Sequence, residues 1–201
     1  MPEDDFIFSK SIVTRFSHDL AGVISAVSNS LSLLDELGGA DQETLNLATE
    51  NANILMGRLR FFRAAFGNDG PLTDIAVTQR IFEEYLTTLE NRAVRYTCVW
   101  QTDRELPIFI FRLILLGGMF AAESLPRGGK ITIQAQAGHR RIYMEAVGKS
   151  AAIPSAYTQE EELSPKAMPV LFLKKCLAEQ GWQTSFSCQD EKVMIELGRR
   201  Q

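Results

Sequence analysis

The residues that could do covalent chemistry are concentrated around one histidine, His18. Asp19 follows it directly, and a carboxylate beside an imidazole can orient the ring or raise its basicity through a hydrogen bond. A neutral imidazole is a competent nucleophile near neutral pH, and a phosphoryl group that it takes up passes readily to a carboxylate. The pair therefore predicts a covalent relay at His18 that needs no bound cofactor.

The helix surface next to this histidine is made of small residues. Ala21, Gly22, Ser25 and Ala26 follow within two turns. Small side chains allow another molecule to come close to the helix backbone. We therefore predict that a partner protein contacts the first helix around His18, with Gly22 at the contact.

Four arginines are expected at the level of His18. If the chain turns back near Gly39, His18 lies beside about residue 61 of a second helix. Guanidinium groups there could stabilise a phosphoryl group or meet an acidic pocket of a partner. They could equally solvate the helices and complement a helix C-terminus, and the sequence leaves both interpretations open for each arginine. The four are Arg15, one turn before the histidine, and Arg58, Arg60 and Arg63.

The second histidine and the cysteines predict no further site. His139 falls in a turn between two predicted strands, where a solvated surface residue is expected. Three cysteines, Cys98, Cys176 and Cys188, are odd in number and widely spaced. They form no CxxC pair, so we expect buried free thiols in a reducing cytoplasm.

Apolar residues in the first 67 positions recur at alternating spacings of three and four. This pattern is typical of the a/d seam of packed helices. With Val13 at position a and Phe16 at d, His18 falls at f, so its imidazole is expected to be exposed. The first seam comprises Val13, Phe16, Leu20, Val23, Val27, Leu34 and one polar member, Ser30; the second comprises Leu45, Ala48, Ala52, Leu55, Leu59, Phe62 and Phe66.

The turn between these helices predicts an antiparallel hairpin. Two glycines, Gly38 and Gly39, can end the first helix, and Asp41 can cap the second. Each helix is expected to be about 25 residues long, or roughly 37 Å.

The apolar stripe of the hairpin is wider than one partner helix can cover. Pairing two copies into a four-helix bundle would bury it, which predicts a homodimer. The alternative is that this face packs on the rest of the chain. The flanking apolar positions are Ile12, Ile24, Leu31, Leu33 and Ile54.

The remainder of the chain predicts a different kind of domain. Residues 67–71 read as a linker, so we place domain limits at 1–68 and 72–201. Beyond it, helical and strand patterns alternate in the manner of an α+β sandwich with helices on one face of a mixed sheet. Helices are predicted at 78–92, 107–125 and 165–180, and strands at 94–101, 130–136, 141–147, 184–188 and 193–197.

The overall composition excludes several classes of function. The chain has 201 residues, 45% of them apolar, and a net charge of -4. A mildly acidic chain does not suit non-specific binding to nucleic acid or to a membrane surface. The N-terminus is acidic and the longest apolar stretch, 108–122, is too short to span a bilayer comfortably, so we expect a cytoplasmic protein.

Two motifs resemble those of a known family. Residues 16–22 (FSHDLAG) resemble the H-box of sensor histidine kinases, in which the histidine is the phosphoacceptor. Together with 58–67 (RLRFFRAAFG), they look like the ChpT-type histidine phosphotransferases of alphaproteobacteria. That resemblance implies a dimeric bundle followed by a degenerate histidine-kinase ATPase-like (Bergerat-type) α/β sandwich. One departure is Val23, where the kinase H-box commonly has proline.

The second domain departs from the kinase ATP site at each nucleotide-binding position. Alignment on the kinase motifs puts Phe120 at the Mg²⁺-binding asparagine and Gly148 at the adenine-reading aspartate. Ser150 and Ala152 fall at glycines, and 164–169 replaces a glycine-rich phosphate loop. Because metal ligand, base-specific carboxylate and phosphate cradle are lost together, no ATP binding is expected.

The resemblance implies a phosphorelay in which His18 passes a phosphoryl group between the receiver domains of response regulators, supplied by a hybrid histidine kinase. Any Mg²⁺ is then expected in the partner receiver. Two alternatives are an active histidine kinase core with an atypical nucleotide site and a non-catalytic dimeric scaffold for receivers. Neither the identity of the receivers, the direction of flow nor the handedness of the bundle follows from the sequence.

Overall fold

The computed structural model describes residues 2–36, 38, 41–67, 72–136, 141–158 and 165–199. Three features predicted above fall outside these ranges: the turn with His139, the glycine Gly39 and most of the linker. The elements, in order, are α1 (Pro2–Glu36), α2 (Gln42–Phe66), α3 (Ile75–Thr87), β1 (Tyr96–Thr102), α4 (Ile108–Glu123), β2 (Gly129–Ala135), β3 (Arg141–Val147), α5 (Ser155–Thr158), a 3₁₀ turn (Pro165–Ala167), α6 (Met168–Glu179), β4 (Trp182–Gln189) and β5 (Lys192–Arg199).

The first two helices form the predicted antiparallel hairpin. Gly38 follows α1 with a φ of 73°, a left-handed conformation that favours glycine. The Asp41 carboxylate accepts the backbone N–H of Thr44 at 2.8 Å, so Asp41 caps α2 as predicted. The α2 helix has the expected 25 residues, but α1 has 35, because its first turns continue past the end of α2 and pack on α6 through Phe8 and Phe172.

Part of the predicted seam is confirmed within one chain. Phe16 stacks on Phe62 with 4.7 Å between ring centroids, and Ser30 and Ala48 are buried. The Ser30 hydroxyl donates to the Ala26 carbonyl at 2.9 Å and so is tolerated in the seam. The prediction is wrong for three other seam positions, Val13, Leu45 and Leu59. Their side chains are exposed and do not pack between the two helices.

Three of the five flanking apolar positions of the hairpin are exposed, while Ile12 and Ile54 are half-buried. Ile24, Leu31 and Leu33 are 52%, 55% and 42% exposed, in line with the stripe predicted from the sequence. The rest of the chain covers only the end of the hairpin where α2 finishes. The alternative that this whole face packs on the second part of the chain is therefore wrong for most of its length.

The second part of the chain is the predicted α+β sandwich. Its five strands lie in the order β1-β2-β3-β5-β4, with β1 and β2 parallel and the other pairs antiparallel. Ile133, Met144 and Ile195 are paired across β2, β3 and β5, and all are fully buried under the helices. Polar side chains alternate with them on the opposite face, which confirms helices on one face of a mixed sheet.

The most apolar helix, α4, lies in the middle of the core. Two glycines let it pack closely: a Cβ at Gly117 would come within 2.9 Å of Met144, and one at Gly118 within 2.7 Å of Phe82. No helix among the described residues is long and apolar enough to cross a membrane. The α3 helix begins three residues before its prediction, because the Asp74 carboxylate caps it by accepting the backbone N–H of Val77 at 2.8 Å.

The hairpin and the sandwich share one continuous core. Phe61 stacks on Tyr85 of α3 at 3.8 Å, and both are buried. Cys98, Cys176 and Cys188 are free, as predicted, but the expectation of burial is not met in full. Cys98 and Cys176 are half-buried, and Cys188 is exposed on the edge strand β4.

Candidate functional site

His18 projects into solvent from the middle of α1. Its side chain is 86% exposed, so the exposure predicted from heptad position f is confirmed. The ring nitrogen Nδ1 lies 3.4 Å from Asp19 Oδ1, a long contact that a proton on Nδ1 would satisfy. That tautomer leaves the lone pair of Nε2 free on the solvent side.

The Asp19 carboxylate is held from its other side by Arg15. Arg15 Nε donates to Asp19 Oδ2 at 2.6 Å, and Arg15 Nη2 donates to Glu123 Oε1 at 2.7 Å. Glu123 ends α4, and its second oxygen accepts the hydroxyl of Tyr157 on α5. Hydrogen bonds therefore connect four side chains, from Tyr157 and Glu123 of the sandwich to Arg15 and then to Asp19, the residue next to His18.

Arg15, Asp19 and Glu123 line a cleft of about 380 Å³ between the hairpin and the sandwich. Burial raises the pKa of Glu123 to about 7, although the adjacent Arg15 guanidinium acts to lower it. Burial, together with the carboxylates of Glu123 and Asp19, raises the pKa of the Tyr85 hydroxyl well above its ordinary value. The cleft thus contains charges that are paired with one another and largely removed from water.

Arg58 faces this cleft rather than solvent. Its Nη1 donates to the Asp19 carbonyl at 2.8 Å and its Nη2 to the Thr88 carbonyl at 3.1 Å. Its Nε is buried without a hydrogen-bond partner among the described residues. The guanidinium ties α1 and the end of α3 to α2, and it places Arg58 level with Asp19, in agreement with the register predicted for the hairpin.

The other predicted site residues, Gly22, Arg60 and Arg63, are all exposed. Arg60 is 53% exposed and forms an ion pair with Glu84 of α3 at 2.9 Å. Arg63 is exposed in the last turn of α2. Gly22 is exposed one turn after His18, and a Cβ added to it would meet no atom within 4 Å. The structure therefore brings Arg15 and Arg58 together with Asp19, while Arg60 and Arg63 stay at the surface.

Aromatic rings occupy the region that was aligned with the kinase nucleotide site. Phe120 is 1% exposed and lies between two rings, with Tyr157 at 4.8 Å and Phe186 at 4.3 Å. A Cβ added at Gly148 would come within 2.4 Å of the Gly128 carbonyl oxygen, so that position is closed by backbone. No group of three or more potential metal ligands occurs among the described residues.

Glu123 and Tyr157 were not identified from the sequence. One signal could have found the first: Glu123 and Arg112 are the only charged residues in α4. A carboxylate at a helix C-terminus opposes the helix dipole, which indicates that a cation compensates it. Tyr157 carried no such signal, because its contact depends on how α5 folds back over α4.

Comparison with known proteins gives consistent matches. The histidine phosphotransferase C-terminal domain family matches residues 78–192, more than half of the chain. Protein phosphotransferase ChpT of Brucella abortus (strain 2308) is 24% identical over 197 residues, covering 92% of this chain and 91% of that protein. The solved structure of a bacterial phosphotransferase superimposes with a TM-score of 0.79 at 24% identity, covering 94% of this chain and 95% of that one. The chain therefore belongs to the histidine phosphotransferase family, as a ChpT-type protein with a phosphotransfer role in two-component signalling.

Proposed function

We propose that this protein relays a phosphoryl group between the aspartate receivers of response regulators through His18, and that it does so without binding ATP. The observation that carries the proposal is the exposure of His18 together with the position of Asp19 at Nδ1. An imidazole in this setting can reach a phosphorylated carboxylate on another protein, and Asp19 orients the nucleophile.

The transfer step follows from the position of the two ring nitrogens. Nε2 attacks the phosphorus of a receiver's aspartyl phosphate, a P–N bond forms, and the P–O bond to the aspartate breaks with its electrons returning to the carboxylate. The proton on Nδ1 stays near Asp19, whose negative charge stabilises the cationic ring. The reverse step on a second receiver regenerates His18, and any Mg²⁺ belongs to the receiver.

The receiver supplies most of the environment of the transferred group. The His18 side chain is 86% exposed, so the part of the chain that the structure describes does not enclose Nε2. We propose that the receiver docks on α1 around Gly22 and that Arg63, which is exposed, contacts its acidic pocket. Arg15 and Arg58 act by holding Asp19, while Arg60 extends the basic surface beside its ion pair with Glu84.

The packing around Phe120 supports the absence of ATP binding. An adenine ring and its phosphates would have to displace a buried aromatic stack, and a Phe side chain offers no ligand for Mg²⁺. The sandwich is then a rigid support and docking surface. The partners that fit this account are response-regulator receivers, a hybrid histidine kinase as the source of phosphate, and a second copy of the chain, all in the cytoplasm.

The test is transfer of label from a phosphorylated receiver to the purified protein. Wild type is expected to gain acid-labile label, and His18→Ala is expected to gain none. A reaction with ATP alone is expected to leave the wild type unlabelled. Label from ATP would contradict the proposal in favour of a kinase, and transfer that survives in His18→Ala would exclude His18 as the acceptor.

A further inference from the structure

The Glu123 carboxylate lies in an unusual position for a charged group. It ends a helix whose other residues, apart from Arg112, carry no charge, and its side chain is only 21% exposed. Its site opposes the dipole of α4, and removing a carboxylate from water is unfavourable. A group kept there against two unfavourable terms must be stabilised by specific contacts.

Those contacts run in one direction, from the sandwich to the phosphoacceptor. Tyr157 donates to one oxygen of Glu123, and Arg15 Nη2 donates to the other at 2.7 Å. Arg15 Nε then donates to Asp19 at 2.6 Å, and Asp19 Oδ1 lies 3.4 Å from His18 Nδ1. Glu123, Arg15 and Asp19 each contact the residue before and the residue after them in this series. Tyr157 begins the series and His18 ends it at the exposed surface.

The geometry of Arg15 explains why Glu123 matters at a distance. A guanidinium can bind one carboxylate with two parallel N–H bonds, and Arg15 would be free to pair with Asp19 in that way. Arg15 Nη2 donates to Glu123 instead, so Asp19 receives only one hydrogen bond from this guanidinium, from Nε to Oδ2. The other oxygen, Oδ1, is thereby left to face His18.

We propose that Glu123 is a positioning residue for phosphotransfer: through Arg15 it fixes the Asp19 carboxylate at His18 Nδ1 and so selects the tautomer whose Nε2 is free to accept the phosphoryl group. This inference rests on the proposed function of His18. It gives the sandwich a part in the chemistry, because Tyr157, which anchors Glu123, is itself held by stacking on Phe120.

The charge of Glu123 is adjustable near neutrality, which is consistent with such a role. Burial raises its pKa to about 7 against the opposing effect of Arg15, and Asp19 adds to the rise. Carboxyl groups whose pKa is displaced by burial and a specific partner are concentrated at functional sites. The contacts from Tyr157 to His18 support the positioning role by themselves, and the raised pKa of Glu123 agrees with it.

The experiment measures the His18 tautomer and the transfer rate in the same full-length proteins. The sequence contains two histidines, so ¹⁵N labelling of histidine gives two imidazoles, with His139 as the reference. In Glu123→Ala, the Nδ1–H tautomer of His18 is expected to lose population, and loading from a phospho-receiver to slow about tenfold. Glu123→Gln keeps an oxygen that can accept from Arg15, and it is expected to retain the wild-type tautomer and a rate within about threefold.

A matched control separates positioning from general loss of structure. Glu196 forms a 3.0 Å ion pair with Arg141 on the exposed face of the sheet, so Glu196→Ala removes a similar ion pair far from Asp19. It is expected to leave both readouts unchanged. Tyr157→Phe, which removes only the hydroxyl that anchors Glu123, is expected to shift the tautomer in the same direction as Glu123→Ala, by a smaller amount.

Four outcomes separate the positioning role from its alternatives. The proposal is overturned if Glu123→Ala folds and keeps the wild-type tautomer ratio, or if Glu196→Ala changes it equally. If Glu123→Ala does not fold, an unchanged tautomer in Tyr157→Phe would overturn it. If the wild type accepts no label from any receiver while the tautomer shifts as expected, the relay function fails but the hold of Glu123 on His18 stands.

Discussion

At the scale of single residues, the site divides into one exposed nucleophile and a set of groups that are almost out of water. His18 is 86% exposed, whereas Arg15 is 17% and Asp19 20% exposed. An exposed imidazole can be reached by a partner, and a shielded ion pair beneath it is screened little by solvent. The division fits a protein whose partner brings the reactive phosphoryl group and whose own residues orient the acceptor.

Arg58 is expected to matter more for stability than its neighbour Arg60. Arg58→Ala removes two hydrogen bonds to the backbone carbonyls of Asp19 and Thr88, and it should lower the free energy of unfolding by about 2 kcal/mol. Arg60→Ala removes only an exposed ion pair with Glu84 and should cost less than about 1 kcal/mol. Urea unfolding of both variants measures this; equal losses would contradict the assigned role of Arg58.

Glu123 makes folding stability depend on pH near neutrality. Its pKa rises from the ordinary 4.5 to about 7 on folding, so the folded protein holds the proton more tightly than the unfolded chain does. The stabilisation is therefore complete below the ordinary pKa and is lost as pH rises through about 7. The groups that face this carboxyl are Arg15 and Asp19 of α1, Arg58 of α2, Tyr85 of α3, Tyr96 of β1 and Tyr157 of α5.

The test compares wild type with Glu123→Gln at about pH 5 and about pH 8 in urea. Wild type should lose about 2 kcal/mol more than the variant between the two conditions, because other titrating groups are common to both. An identical pH dependence in both proteins would show that Glu123 does not change its protonation in this range.

At the scale of elements, α1 has three successive tasks along its 35 residues. Its first turns pack on α6, its middle presents His18, and its last turns pair with α2. The continuous helix therefore connects the surface of the sandwich to the phosphoacceptor. Val23 stands where the kinase H-box commonly has proline, and α1 continues through this segment without interruption.

A substitution at Gly22 is expected to affect stability and receiver docking in opposite directions. Its Cβ position is open and it lies in a helix interior, so Gly22→Ala should raise the free energy of unfolding by about 0.5–1 kcal/mol. If a receiver approaches closely there, the same change should slow transfer about fivefold. Ser28→Ala, at an exposed position on the same helix, should leave transfer unchanged. A stabilised Gly22→Ala variant with wild-type transfer would place the docking contact elsewhere.

Most elements could be predicted from periodicity, and the exceptions have local causes. The hairpin, its cap at Asp41 and all five strands follow from patterns that depend on near neighbours. The length of α1 could not be predicted in this way, because it depends on the contact of Phe8 with Phe172. Likewise, a heptad pattern cannot separate positions that face the partner helix from those, such as Val13, that face outward.

The candidate site was predictable only in part, for a related reason. His18, Asp19 and Arg15 are close in sequence, so helical spacing alone relates them. Arg58 was expected at the right level, but its inward direction depends on the Thr88 carbonyl at the end of α3. Glu123 joins Arg15 across 108 positions of sequence, a contact that no local pattern encodes.

At the scale of the whole molecule, the hairpin presents an apolar band that the sandwich does not cover. Bands of this kind on soluble chains usually mark interaction surfaces. The positions run along both helices, as a four-helix bundle of two copies requires. The members are Val13, Ile24 and Leu31 on one face of α1 and Leu45, Met56 and Leu59 on one face of α2; Leu33 and Leu47 are also exposed, on other sides of the same helices.

A charge placed in this band should dissociate a homodimer. Leu31→Lys is expected to weaken self-association by about 100-fold, because it would bury a charge in an apolar interface. Ile108→Lys is the control, since Ile108 is 68% exposed at the start of α4 and is not part of the hairpin. Sedimentation velocity reads both; a wild type that is monomeric at micromolar concentration would contradict the predicted bundle.

A chase experiment would follow a phosphoryl group through His18 on its way between two receivers. The protein is loaded from one labelled phospho-receiver, separated from it, and mixed with a second, unlabelled receiver. We expect label on His18 after the first step and its movement to an aspartate of the second receiver with no ATP present. The relay through His18 would be excluded if label reached the second receiver without residing on His18. It would also be excluded if label stayed on His18 with every receiver that was tested.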